Sequence, residues 1–466
     1  MGGRWRIERM RWVFTLALLG PGVGYGGEMT DLVVAISSDD IVCDRFIGFG
    51  AQWDSAGYVD YAVSDEEFET VARRVRWMRL PMARVMMLTK WCYFGEGRFE
   101  WATAGMNALY RQLDVCQQVG TTVFLTDWGA EKEWTTGPGI GGVDDPEYAK
   151  VIGTYLDHLL ETKGYTCIRY FILTNEPNWE VGDWEKWKRG VRQVAAELAA
   201  RGLDKRLTFV GSDTSQDGTN ESWHRRAVDE LADVFGVYDI HRYASGRRVR
   251  DGQLEDYWKA QWDYARANDP NGRTKPCMVG EAGLNDDAQH PASSPHIGEY
   301  MYGMFMADYA VQAARAGSAA VSAWMLDDNC HPGFAWGMWG NKPQGMPLRP
   351  WFYPWALLAR YFPGGSVIYR VANQPDDVRI LIAHVPGSAG GWSVCVVNRG
   401  DAAVAVRVTG LDAAASPFRR YVYAREGAPS DAAGFPEPTD ASLPRAAEGV
   451  LVPCPADAVA VATSLK

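Results

Sequence analysis

None of the eight cysteines stands in a C-x-x-C pair, and none shows metal-ligand spacing, so no metal centre is expected. Cys167, Cys277 and Cys395 fall inside apparent strands, where a small apolar thiol is the ordinary reading. Positive charge is also short: 47 Lys and Arg face 58 Asp and Glu, a formal net charge of −11. No basic field is present to recruit phosphates, which argues against a nucleic-acid partner and fits a neutral substrate. Long apolar runs are missing as well. The longest, WVFTLALLG at 12–20, follows Arg4, Arg6, Arg9 and Arg11 and is too short to span a bilayer. It has the length of a signal-peptide core, so residues 1–28 are read as a signal peptide or N-terminal extension. That reading makes the protein secreted or periplasmic, with no integral membrane segment in the mature chain. A start at Met10 or later would instead leave it cytoplasmic. No internal repeat is visible beyond an alternation of strands and helices.

Tryptophan is abundant, with 20 residues. Many are core filler, yet several lie beside polar loop residues, as in GAQWDSAGY, TDWGAEKEW and NEPNWEVGDWEKW. Flat apolar faces in an open cleft suit the C–H faces of sugar rings.

Eight short apolar segments read as strands: 46–53, 75–82, 121–128, 168–176, 207–213, 237–243, 276–282 and 319–326. Between them lie segments with helical spacing, among them 65–75, 106–120, 147–164, 184–202, 222–236 and 300–317. Alternating strands and helices argue for parallel βα units. Eight of them over about 290 residues predict a (β/α)8 TIM barrel, an α/β fold. The barrel is expected over 43–349. From Pro350 an aromatic helix leads into short alternating strands such as RILIAHV, GWSVCVVNRG and AVAVRVTGL. These predict a C-terminal β-sandwich over 350–466, joined by residues 30–42.

A barrel of this kind carries its functional side chains at the C-terminal ends of its strands. The fourth strand runs out in FILTNEPNWE, an apolar run followed at once by Asn175, Glu176 and Pro177. The seventh ends on Glu281. The second carries Arg79, the third Asp127 and Trp128, the sixth His241 and Tyr243, and the eighth Trp324. One strand-end carboxylate is unremarkable. Two, facing one mouth among Asn, His, Tyr, Arg and Trp, fit glycosidic cleavage, which needs one protonated and one ionised carboxyl. Their mutual repulsion separates their pKa values. Glu176 is the acid/base candidate. Glu281 is the nucleophile, held ionised by Tyr243 and Arg79, with Arg84 as the competing arginine and Asp286/Asp287 as the competing carboxylates. Trp53, Asp54, Asp127, Trp128 and Trp179 are further candidates for substrate contact. In the loop after strand eight, Asp327, Asp328 and His331 match no metal-ligand pattern.

TNEPNW, VGEAG, DIHRYA, WMRLP and SAWML together resemble clan A of the glycoside hydrolases, with families 30, 39 and 5 nearest in look. The resemblance spans roughly 46–329, and the opening GFG is similar to that of family 30. It implies a retaining β-glycoside hydrolase that works by double displacement and needs no cofactor. Glu176 would be the acid/base and Glu281 the nucleophile. Asn175 would bond the sugar 2-hydroxyl, His241 and Tyr243 would orient the carboxylates, and Trp324 would floor the subsite at the cleavage point. The expected partner is an oligo- or polysaccharide, β-glucan first, xylan or galactan next. A transglycosylase on the same residues and an inactive carbohydrate-binding barrel are the rival readings.

Overall fold

The protein is described by a computed structural model over residues 30–466, apart from 216–220, 289–292, 329–332, 373, 388–389, 412–416, 444 and 447–448. The expected signal segment lies outside the described residues. Eight parallel strands close a barrel: β1 (Gly48–Trp53), β2 (Met82–Met87), β3 (Thr122–Asp127), β4 (Ile168–Ile172), β5 (Thr208–Ser215), β6 (Val237–Ala244), β7 (Cys277–Leu284) and β8 (Ala320–Ala323). Each is followed by a helix: α1 (Asp65–Met78), α2 (Ala104–Val119), α3 (Pro146–Asp157), α4 (Trp184–Ala200), α5 (Glu221–Leu231), α6 (Gln253–Asn268), α7 (Tyr300–Arg315) and α8 (Phe352–Tyr361). This is the (β/α)8 barrel. No helix among the described residues is long and apolar enough to cross a membrane.

The expected second strand is misplaced. Ser64 and Glu67 form a capping box that starts α1, and Phe68, Val71, Ala72, Val75 and Met78 bury one face at helical spacing. Residues 75–78 are therefore the end of a helix. Arg79 closes it in a left-handed conformation, φ 45°. The strand begins three residues later, at Met82, and brings Arg84 rather than Arg79 into the barrel.

The barrel interior is layered. Met82, Phe124, Ile172, Val210, Val237, Met278 and Ala320 form an apolar plug in its lower part. Gln52, Arg84, Asp213, Asp239, His241 and Glu281, all buried, form the layer above it. The plug excludes water beneath that layer, so the charges above it must be satisfied by one another.

The C-terminal region forms two sheets. One holds Thr30–Ala35, Val404–Thr409, Gly449–Cys454 and Arg445–Ala446. The other holds Asp440–Leu443, Phe418–Tyr423, Ala458–Thr463, Gly391–Asn398, Val378–Val385, Val367–Arg370 and Ile41–Cys43. Thr30–Ala35 pairs parallel to Val404–Thr409. Alternation divides the larger sheet. Ile380, Ile382, Val394 and Val396 enter the sandwich core, while Leu381, Ala383, Cys395 and Val397 join the barrel core. That second face packs on α7. Helix α8 sits against α7, α1 and β1, so the helical ring runs past the boundary expected at residue 350. The seven described cysteines are free thiols.

Candidate active site

Residues 173–176 continue from β4 to the barrel mouth. Glu176 there adopts φ 41°, ψ 59°, and Pro177 opens a short helix, Pro177–Glu180. Proline suits a first helical position, because its missing N–H would be unpaired there anyway. The left-handed conformation is uncommon for glutamate and stores strain of order 1–3 kcal/mol. The sharp turn sets Glu176 at the strand end instead of letting the chain run on.

Arg84 organises the layer below. Its Nη1 donates to Gln52 Oε1 at 2.7 Å and to Glu281 Oε1 at 3.0 Å. Its Nη2 donates to Asn175 Oδ1 at 2.8 Å and to Asp213 Oδ2 at 2.7 Å. With its acceptor oxygen turned to Arg84, Asn175 presents its amide Nδ2 as a donor elsewhere. Tyr243 donates its hydroxyl to Glu281 Oε2 at 2.8 Å. His241 Nε2 lies 3.0 Å from Asp213 Oδ1, and its Nδ1 lies 3.1 Å from Glu176 Oε1 and 3.6 Å from Glu281 Oε1. Carboxylate oxygens of Glu176 and Glu281 and a ring nitrogen of His241 all fall within 4.8 Å of one another.

The electrostatics follow from burial and pairing. Burial pushes Glu281 up to about 7, against the pull of His241 and Arg84, while the neighbouring Glu176 adds to the rise and Tyr243 opposes it. Burial works against a charged His241, but Asp213 and Glu281 outweigh it and hold the imidazole protonated well above its usual range. Burial alone would raise Asp213. Arg84 and His241 instead hold it well below the usual carboxylate range. Glu176, His241 and Glu281 have the spacing of a metal-ligand set. A protonated imidazole has no lone pair to give, however, and the Arg84 guanidinium already supplies the cation beside Glu281.

The remaining candidates separate clearly. Trp128 and Trp324 flank the mouth, each 8% exposed, with ring centroids 6.2 Å apart. Trp128 also lies over the Arg84 guanidinium at 5.4 Å. Trp179, on the short helix after Glu176, is 62% exposed and stands outside the cluster. Trp53, Asp54 and Asp127 are fully buried and bond to partners inside the protein. Trp53 turns outward from β1, stacks on Phe68 and donates to Tyr58. Asp54 accepts from Gln52, the residue that braces Arg84. Asp127 accepts from Tyr148 and from the Gly129 amide.

Arg79 is at the other end of the barrel. It donates to the Lys466 carbonyl at 2.9 Å and lines a cavity of about 880 Å³ with Arg45, Arg169 and Arg206. No carboxylate among the described residues lines that cavity, and the Glu176–Glu281 cluster lies at the opposite face. Asp286 accepts from the Gly246 amide, and Asp287 faces His296 at 3.4 Å, both away from the cluster. Asp327 accepts from Tyr58, and Asp328 bonds the Trp336 and Gly337 amides and Arg349. His331 lies outside the described residues. Asp213, Asp239 and Gln52 are residues of this layer that sequence reasoning passed over. The fifth predicted segment, LTFVGSD, itself ends on Asp213, so the strand-end rule could have found it.

No protein-family model and no curated protein matches the chain. Solved structures do. A glycoside hydrolase family 30 subfamily 8 xylanase from Clostridium acetobutylicum is 15% identical with a TM-score of 0.65, over 93% of this chain and 99% of its own. A family 39 β-xylosidase from Caulobacter crescentus is 16% identical with a TM-score of 0.63, over 94% and 100%. A family 51 α-L-arabinofuranosidase from Bifidobacterium longum is 15% identical with a TM-score of 0.65, over 92% and 99%. At these identities the likeness is one of fold. It takes in both barrel and sandwich.

Proposed function

We propose that the protein is a retaining glycoside hydrolase acting on a β-linked glycan. The observation that carries this reading is the approach of Glu176 and Glu281 oxygens to within 4.8 Å, with one histidine touching both. Retaining enzymes hold the two carboxyl groups about 5–5.5 Å apart, whereas inverting ones leave about 6.5–9.5 Å for a water. Glu281 attacks the anomeric carbon and forms an ester. The electron pair of the breaking C–O bond passes to the leaving oxygen, which takes the Glu176 proton. Glu176 then draws a proton from water, whose oxygen displaces Glu281. Asn175 Nδ2 suits a sugar hydroxyl, and Trp128 and Trp324 suit its apolar face.

The sequence places β-glucan first among substrates. The structural neighbours shift that order: they include three xylanases, two β-xylosidases, an arabinofuranosidase and one bifunctional glucanase-xylanase. Xylan is therefore the first substrate of this reading and β-glucan the second.

The test is a screen on xylan, β-glucans, mannan and galactan, with NMR of the anomeric products. Retained configuration, lost in both Glu176→Gln and Glu281→Gln, supports the reading. Inverted products, or activity that survives Glu281→Gln, would sink it. Tight binding without turnover would favour an inactive carbohydrate-binding barrel.

A further inference from the structure

Asp239 is a fully buried carboxyl in the same layer that the double displacement does not use. It lies on β6 two residues before His241, so both side chains point into the barrel. Oxygens of Asp213 and Asp239 and a His241 ring nitrogen lie within 4.8 Å of one another. No N–H or hydroxyl donor reaches either Asp239 oxygen among the described residues. Yet its carboxyl faces that of Asp213, oxygen to oxygen within 4.8 Å. Two ionised carboxylates cannot bond each other, and a buried unpaired charge is costly. A proton on Asp239 resolves both problems, because its O–H then donates to Asp213. The site is shaped for this group: a Cβ built on Gly280 would fall 2.5 Å from each Asp239 oxygen.

We propose that Asp213 and Asp239 form a positioning pair that shares one proton and one negative charge, and so keeps His241 as a permanent imidazolium between the two glutamates. This inference rests on the glycosidase reading of Glu176 and Glu281. The charged and titratable groups facing the pair are Arg84 from β2, Glu176 after β4, His241 from β6 and Glu281 from β7. Tyr243 from β6 touches Glu281, and Gln52 and Asn175 are neutral. Before attack, Arg84 and His241 are two cations. Glu281 and the aspartate pair are two anions, and Glu176 carries its proton. After attack, Glu281 is a neutral ester and Glu176 has become the anion. The sealed layer is neutral in both states, because the charge only moves from one side of His241 to the other. The ring is placed for this, 3.1 Å from Glu176 and 3.6 Å from Glu281. Were Asp239 ionised as well, both states would hold a surplus negative charge under the reacting sugar. Burial and the Asp213 charge accordingly hold the Asp239 carboxyl well above its usual range.

The test needs no substrate. In ¹⁵N-histidine NMR, with His241→Gln to assign the signal, His241 is expected to keep both N–H protons well past about pH 6.5, where an ordinary histidine loses one. Asp213→Asn should move its titration down by at least about one pH unit. Asp239→Asn supplies an amide donor in place of the O–H, so it should leave the His241 titration unchanged. Infrared difference spectra of wild type against Asp239→Asn should show a protonated-carboxyl C=O band that persists to the same pH. On an active substrate, Asp239→Asn should lose less in kcat than Asp213→Asn. Asp213→Asn should lose about a hundredfold in kcat with KM little changed, a charge-sized effect. A wild-type His241 already neutral at about pH 6.5, or Asp239→Asn as damaging as Asp213→Asn, overturns the proposal. If Asp213→Asn does not fold, the wild-type and Asp239→Asn spectra still decide it. If no glycan is cleaved but the spectra are as expected, the glycosidase reading fails and the shared proton stands.

Discussion

Arg84 donates to Asp213 Oδ2 at 2.7 Å with no solvent on the guanidinium and almost none on the carboxylate. The same guanidinium also neutralises Glu281. Removing one partner of a buried pair strands the other without water, at a cost of about 3–5 kcal/mol. Arg84→Met is therefore expected to lower stability by that order in urea unfolding and to abolish turnover. A stability change under about 1 kcal/mol would mean that water fills the gap and the layer is not sealed.

Arg79 offers the matching control. It is exposed, caps α1 and lines the cavity at the far end of the barrel. Arg79→Ala should leave kcat/KM within about twofold, as surface substitutions do. A large loss would return it to the site.

In the proposed reaction Glu281 must be ionised to attack, and its carboxyl is pushed up to about 7. Protonation below that value removes the nucleophile, so kcat/KM should fall about tenfold per unit as pH drops below about 7. The limb belongs to the coupled cluster and not to one residue alone. Tyr243→Phe deletes a hydrogen bond that lowers this pKa. The acid limb should then move to higher pH, with a loss of roughly tenfold or more in kcat/KM at neutral pH. An unmoved limb would separate Tyr243 from the nucleophile.

Asp127 should write its burial into stability. Its folded pKa is raised to about 8 by burial, against Tyr148 and the Gly129 amide, while an unfolded aspartate titrates near about 3.9. Between those values the folded state holds a proton that the unfolded state has released. Stability should therefore fall as pH rises through that window, by up to about 1.4 kcal/mol per unit. Asp127→Asn removes this contribution. Unfolding free energies of the two proteins from about pH 4 to 8 should diverge, and parallel curves would refute the assignment.

Trp324 and Trp128 offer the only large apolar faces among the named candidates at the mouth. Trp324→Ala should lower kcat/KM at least about tenfold, mostly through KM, the scale of one aromatic face taken out of contact. Unchanged kinetics would place the sugar elsewhere.

The barrel was legible because strand and helix periods alternate cleanly. Glu176, Glu281, His241 and Tyr243, which the structure brings together, were singled out by asking which residues end the strands. The reading failed where an apolar run has both meanings: VRWM fits a strand by composition, but Val71, Val75 and Met78 mark a helix by spacing. That slip moved the arginine by five positions, from Arg84 to Arg79. Trp53, Asp54 and Asp127 were drawn in because they stand beside strand ends. Adjacency in sequence does not say which way a side chain turns. Asp213 needed the fifth strand end to be weighed like the others. Asp239 needed distances, because only a structure shows one carboxyl lying within reach of another.

Gly280 stands immediately before Glu281, and the space its missing Cβ would fill is taken by Asp239. The two positions therefore constrain each other across neighbouring strands. A relative that keeps the aspartate must keep the glycine, and one that carries alanine there has to shorten or lose the aspartate. Among distant barrels of this shape, that two-letter correlation would pick out the chains able to carry the proposed shared proton beneath this histidine.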